Sequence, residues 1–204
     1  MSIRAVIFDL GGVLVRTEDR ATRLELCRQL GLTYEQLSSA VFDSPTAIQA
    51  TLGEISAESH WKNLLASLQW SNGGKAEFEG LFWGGDSLNT GLVETIRSLR
   101  PRYKTALLSN AWDDVREKVI DRWNLLPLFD VVIISAEVRL AKPDPRIYEL
   151  AVDRLGVKPE EAVFIDDFID NVKAARDAGL YAIQFINNAQ TTGELRSLLE
   201  GKRS

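Results

Sequence analysis

Ile3-Arg4-Ala5-Val6-Ile7-Phe8-Asp9-Leu10-Gly11-Gly12-Val13 is an apolar run cut short by an acid and two glycines. Its part from Arg4 to Leu10 is too short for a helix and rich in Val, Ile and Phe, so it reads as a buried strand. Four later segments have the same character: Lys104 to Ser109, Asp130 to Ile134, Ala162 to Asp166 and Tyr181 to Ile186. From the second strand onward, helical patterns fall between them. Asp113 to Trp123 is one. Asp144 to Leu155 is a second, with Ile147, Leu150, Ala151 and Leu155 on one face, Asp144 as cap, Pro145 in the first turn and Gly156 at the exit. Asp170 to Ala178 is a third, closed by Gly179. Thr191 to Glu200 predicts a terminal helix, and the last few residues are expected to fray. Strands alternating with helices imply an α/β fold: a Rossmann-like parallel sheet with helices on both faces.

The stretch from about Arg16 to Asn89 reads differently. It shows no strand pattern. Ala21, Leu24, Cys27 and Leu30 have helical spacing, Thr33 with Gln36 resembles a capping box, and Trp61, Leu64, Leu65 and Leu68 form an apolar stripe. A loop of that length is rare unless it is a subdomain. We therefore expect a discontinuous core of residues 1–15 and 90–204, interrupted by an all-helical cap of residues 16–89.

Composition narrows the chemistry. The chain has 204 residues, 45% of them hydrophobic and 26% charged, enough to bury a core. Its formal net charge is −5, with Lys and Arg scattered, so no nucleic-acid partner is expected. No apolar stretch reaches the length of a membrane span, so no membrane partner is expected either. Cys27 is the only cysteine, which excludes an internal disulfide and, with no leader pattern, suggests a cytoplasmic protein. His60 is the only histidine, which argues against Ser-His-Asp and His-rich zinc chemistry.

In open parallel sheets, sites lie beyond the carboxyl ends of the strands. There the first strand delivers Asp9, followed by Gly11 and Gly12, and the second delivers Ser109 and Asn110. The loop after the third carries Lys142, and the fourth ends in Asp166-Asp167 with Asp170 just beyond. A carboxylate such as Asp9 can attack phosphorus, but charge repulsion from a phosphate dianion calls for a cation. Mg²⁺ prefers oxygen ligands, which Asp9, Asp166 and the Gly11 carbonyl could supply. Asp167 or Asp170 could hold metal-bound water or orient a ligand; Asp167 could equally cap the following helix. Ser109 and the amides around Gly11 and Gly12 can donate to phosphoryl oxygens. Lys142 can neutralise both Asp9 and the phosphate. Asn110 either positions its loop or touches the transferred group.

Taken in order, Asp9-Leu10-Gly11-Gly12-Val13-Leu14, Ser109-Asn110, Lys142 and Phe164-Ile165-Asp166-Asp167 resemble the four motifs of the haloacid-dehalogenase-like superfamily. The helical stretch resembles that superfamily's cap between motifs one and two. The nearest group is that of the α-D-glucose-1-phosphate phosphatases, whose first motif also carries Gly in place of a second Asp. The resemblance implies an Asp9 nucleophile, Mg²⁺, a small phosphorylated metabolite as substrate and a cap that selects it. Most phosphatases of the superfamily have a general acid at the position of Gly11, and such catalysis is typically worth roughly 10²–10⁴-fold. Glu18, Asp19 or His60 could supply the proton instead. Alternatively the substrate has a good leaving group, as sugar 1-phosphates do, or the protein is a weak catalyst.

Two rival functions follow from the same scaffold: carbon–halogen hydrolysis, and a non-catalytic binding module. The superfamily's dehalogenases carry uncharged polar residues where this chain has Asp166-Asp167, a pair that would repel Asp9 without a cation. Bland readings stand beside these. His60, Trp70 and Trp83 fit packing, Cys27 an inert helical face, Asn171 and Asp144 structural roles. Trp112 fits either a domain contact or the wall of the cleft.

Overall fold

The computed structural model describes residues 2–201. The expectation for the chain end at 202–204 lies outside the described residues. Five parallel strands form the main sheet: β1 (Ala5–Phe8), β4 (Lys104–Ser109), β5 (Val131–Ile134), β6 (Ala162–Asp166) and β7 (Tyr181–Gln184), in the order β5-β4-β1-β6-β7. The strands coincide with the five apolar runs, trimmed by a residue or two at their ends.

Strand periodicity explains the two-sided core. In β1, Val6 and Phe8 face one way, packing with α6 (Thr90–Leu99) and α10 (Asn188–Leu199). Ala5 and Ile7 face the other way, toward α8 (Pro145–Leu155) and α9 (Ile169–Asp177). A sheet buried on both faces needs apolar residues at every position, which is why these strands read as runs rather than alternations. Asp144 accepts from the Arg146 amide at 2.9 Å and Gly156 adopts φ 62°, so α8 starts and stops where its residues predict.

The helical insert comprises α1 (Ala21–Leu30), α2 (Tyr34–Phe42), α3 (Pro45–Thr51), α4 (Ala57–Ser67) and α5 (Lys75–Trp83). It has a core of its own, including Leu26, Leu37, Trp61, Phe78 and Phe82. The Thr33–Gln36 capping box opens α2. Two features depart from expectation. The stretch read as strandless is joined to the sheet layer by a two-stranded antiparallel ribbon, β2 (Val15–Thr17) and β3 (Asp86–Leu88), in which Thr17 Oγ1 donates to Asp86 Oδ1 at 2.6 Å. Each strand is three residues and polar in part, too little to show a period. The helix expected over Asp113 to Trp123 is instead a π-helical segment, Arg116–Asp121. Its expected start is diverted, because the Asp113 side chain bonds the insert instead. No helix among the described residues is long and apolar enough to cross a membrane.

Candidate active site

In chain order the core strands run β1, β4, β5 on one side of the sheet and then β6, β7 on the other. The direction of winding reverses between β1 and β6, where such sheets open a crevice at their carboxyl ends. The register aligns Phe8 with Ile165 and Leu107, and the Asp9 amide donates to Ile165 O at 2.9 Å. Asp9 and Asp166 therefore emerge level with one another, from the ends of adjacent strands.

Lys142 joins them. Its Nζ donates to Asp9 Oδ1 at 2.7 Å, to Asp166 Oδ2 at 2.7 Å and to Leu108 O at 3.1 Å. An ammonium has three protons, and all three are used. In this state Lys142 has no proton left to donate, so it can act on a further anion only through its charge. Burial works against that charge, yet Asp9 and Asp166 together hold the ammonium above the usual lysine range. The loop that presents Lys142 is set by Asn110, whose Nδ2 donates to Lys142 O and whose Oδ1 accepts from Lys142 N, both at 2.8 Å. Of the two roles open to Asn110, positioning is the one its side chain performs here.

Asp166 is fully buried and fully bonded. Its Oδ1 accepts from the Phe168 amide at 2.8 Å, and Asn171 Nδ2 lies 3.1 Å from both carboxylate oxygens. Asn171 thus aims the carboxylate, a role that reading the chain as a sequence assigned to structure alone. The available signal was its spacing, five residues after Asp166 in the first turn of α9. Ser109 ends β4 and is 3% exposed. Asp170 is exposed and pairs with Lys173 at 3.3 Å, apart from the carboxylate group.

The third carboxylate is Asp167. One ligand oxygen from each of Asp9, Asp166 and Asp167 lies within 4.8 Å of the others. Asp167 Oδ1 is buried without a hydrogen-bond partner. Three carboxylates beside one ammonium leave excess negative charge in a dry place. Burial, opposed by Lys142 and augmented by Asp166, pushes the Asp9 carboxyl up to about 7. Burial and Asp166 push Asp167 up to about 6. An oxygen-rich, over-charged cluster with an orphaned acceptor suits a small hard cation such as Mg²⁺.

The glycines differ in what they permit. Gly12 has φ 75°, and a Cβ there would collide with the Asp167 carboxylate. At Gly11 a Cβ would meet nothing within 4 Å. The proton donors proposed for this gap have other partners. The Asp19 carboxylate accepts from the Ala21 amide at the start of α1. His60 is fully buried in the insert, its Nδ1 on Thr46 Oγ1 at 2.9 Å. Glu18 is exposed and pairs with Arg16 at 3.0 Å. None of them joins the carboxylates around Asp9. Trp112 is a contact between the sheet layer and the insert, packed into the insert's core.

This arrangement can be compared with known proteins. The model of the haloacid dehalogenase-like hydrolases matches residues 3–179. The chain is 29% identical to the rat bifunctional epoxide hydrolase 2 over 97% of its own length, but spans only 39% of that protein. It is 28% identical to the phosphorylated carbohydrates phosphatase of Thermotoga maritima, covering 97% of this chain and 91% of that one. Among solved structures, a predicted HAD-like family hydrolase from Porphyromonas gingivalis superposes with a TM-score of 0.74 at 25% identity, covering 96% of this chain and 99% of that one. A HAD family enzyme of Bacteroides thetaiotaomicron, complexed with magnesium and inorganic phosphate, shares the fold with a TM-score of 0.73 at 24% identity, covering 90% of this chain and 94% of that one. With a match that spans four of the five core strands, the insert and all four motif positions, this chain belongs to the haloacid dehalogenase-like hydrolase family.

Proposed function

We propose that the protein is a magnesium-dependent phosphatase of small phosphorylated metabolites, working through an aspartyl-phosphate on Asp9. The observation that carries this reading is the meeting of Asp9, Asp166 and Asp167 around Lys142, whose Nζ lies 2.7 Å from both Asp9 and Asp166. Asp9, Asp166 and Asp167, with the Gly11 carbonyl, would hold Mg²⁺, which when bound supplies the positive charge that lets a carboxylate approach a phosphate dianion. Lys142 favours the ionised form of Asp9 against burial and aims it. Asp9 attacks phosphorus, the bond from phosphorus to the leaving oxygen breaks, and the leaving group departs. Water then attacks phosphorus, releasing phosphate and restoring Asp9. Ser109 and the loop following Asp9 hold the phosphoryl oxygens throughout, although the Gly12 amide expected to take part donates instead to Val15 O at 2.8 Å.

Because Gly11 provides no acid, we infer that the leaving group departs with little help, so that sugar 1-phosphates and other good leaving groups are favoured. The likeness to a phosphatase of phosphorylated carbohydrates supports that substrate class. Residues 16–89 serve as the cap that selects it. Carbon–halogen hydrolysis is the second reading, supported by 37% identity over 74 residues to a (S)-2-haloacid dehalogenase of Burkholderia cepacia. The crowded carboxylates weigh against it, since a metal-free mechanism would leave them facing Asp9.

The test is phosphate release from esters of graded leaving-group pKa, with Mg²⁺ or with a chelator, and Asp9→Asn as the blank. A steep dependence on leaving group, abolished by the chelator, is expected. Halide release from 2-haloacids without metal would replace this reading with its rival. A flat leaving-group dependence would remove the inference drawn from Gly11.

A further inference from the structure

Trp112 stands three residues beyond Ser109, yet its ring belongs to the core of the helical insert. It lies 4.6 Å from the His60 ring, 5.3 Å from Trp61 in an edge-on contact and 6.2 Å from Phe42. The next residue, Asp113, accepts from the Ala57 amide at 2.8 Å and so caps α4 from across the boundary. On the other side of Trp112, Ala111 is held by the sheet layer: its N–H donates to Ser135 Oγ at 3.0 Å, and its carbonyl accepts from the same hydroxyl at 3.1 Å. One residue further back, Asn110 makes its two bonds to the Lys142 backbone. Lys142 in turn grips Asp9 and Asp166. A continuous line of contacts, buried at Trp112 and Lys142 and open to solvent at Asn110, thus runs from the insert's aromatic core to the ammonium beside the nucleophile.

We propose that Trp112 is a positioning residue: by locking into the insert it holds Asn110, and through Asn110 the Lys142 loop, in register with Asp9. The insert and the Ser109–Asp113 loop then behave as one body. The physical reason is that a packed aromatic core deforms little, so a side chain embedded in it fixes the backbone that carries it. A residue two positions away inherits that constraint. Displacements of about 1 Å at a reacting group can cost on the order of 100-fold in rate, so a small loosening at Asn110 is functionally large. The kinetic consequence rests on the proposed phosphatase reading; the structural coupling does not.

The experiment compares Trp112→Ala, Trp112→Phe and Leu26→Ala. Leu26 is fully buried in the same insert core, on α1, and serves as a cavity control. Hydrogen exchange of the Lys142 amide, whose acceptor is Asn110 Oδ1, is the direct readout. Trp112→Ala is expected to speed that exchange by about tenfold or more, with the Phe8 and Phe164 amides unchanged, while Trp112→Phe and Leu26→Ala stay near the wild-type rate. Turnover of para-nitrophenyl phosphate should fall by about tenfold in Trp112→Ala and be largely restored in Trp112→Phe. An unchanged Lys142 amide in Trp112→Ala, or an equal acceleration in Leu26→Ala, would overturn the proposal. If Trp112→Ala does not fold, Trp112→Leu is read by the same criteria. Should the wild type release no phosphate at all, the proposed function fails while the exchange measurement still decides the coupling.

Discussion

Gly12 and Asp167 define each other. Gly12 sits at φ 75° directly beneath the Asp167 carboxylate, so a side chain there is strained and also displaces a carboxylate proposed to hold the metal. Gly12→Ala should lower stability by about 1–3 kcal/mol and remove Mg²⁺ binding, read by thermal unfolding and titration calorimetry. Gly11 is the contrasting case, with open space where a Cβ would go. The crowded carboxylates also carry a stability cost. Burial pushes the Asp167 carboxyl up to about 6 in the folded chain from an ordinary 3.8, so the native state binds more protons than the unfolded chain between those values. A raised carboxyl pKa means that stability falls as pH rises from 3.8 through 6. Asp167→Asn should therefore raise the metal-free stability at neutral pH by on the order of 1 kcal/mol, discounted for partial exposure. The gain should shrink as pH falls below about 6, where wild-type Asp167 is itself protonated. Melting curves of both proteins across pH would show it, and a gain independent of pH would contradict the electrostatic explanation.

At the scale of elements, α4 is anchored at both ends of its first turn. Ser56 caps it within the insert and Asp113 caps it from the sheet layer. His60, one turn along, is packed between Trp61 and Trp112 with one nitrogen on Thr46. Burial pulls its pKa below the ordinary 6.5, the Val41 carbonyl and Asp114 opposing. For a base with a depressed folded pKa, the unfolded chain takes up the proton first. The contribution of neutral His60 is therefore complete above 6.5 and is lost as pH falls through the lower folded value. His60→Gln should abolish that component, so that the variant loses less stability than the wild type between neutral and mildly acidic pH. Thermal denaturation at the two pH values checks the difference. A parallel fall in both proteins would mean that His60 does not titrate on unfolding.

For the whole molecule, the decisive property is the excess of buried negative charge at the winding reversal of the sheet. A cation that binds the folded chain and not the unfolded one stabilises it by mass action, about 2.7 kcal/mol at a concentration a hundred times its dissociation constant. Mg²⁺ should accordingly raise the melting temperature, more at neutral than at acidic pH, because protons compete for Asp9 and Asp167. Asp166→Asn should lose most of that shift. A metal-independent melting temperature in the wild type would count against the cluster as a cation site.

Some of this architecture was written locally. Five runs of Val, Ile and Phe marked the strands, because a strand buried on both faces must be apolar throughout, and the residues ending them announced Asp9, Ser109 and Asp166. Asp144, Gly156 and the Thr33–Gln36 pair marked helix ends through turn chemistry that needs only near neighbours. What depended on through-space proximity was not legible. The β2–β3 ribbon pairs residues such as Thr17 and Asp86, 69 positions apart, and neither strand shows a pattern alone. Saturation of the Lys142 ammonium, the grip of Asn171 on Asp166 and the burial of Trp112 in the insert likewise arise only when distant segments pack. Local sequence determined which groups reach the rim of the sheet, because period and turn chemistry act over a few residues. Tertiary structure decided which of those groups touch, because hydrogen bonds and desolvation act across space rather than along the chain.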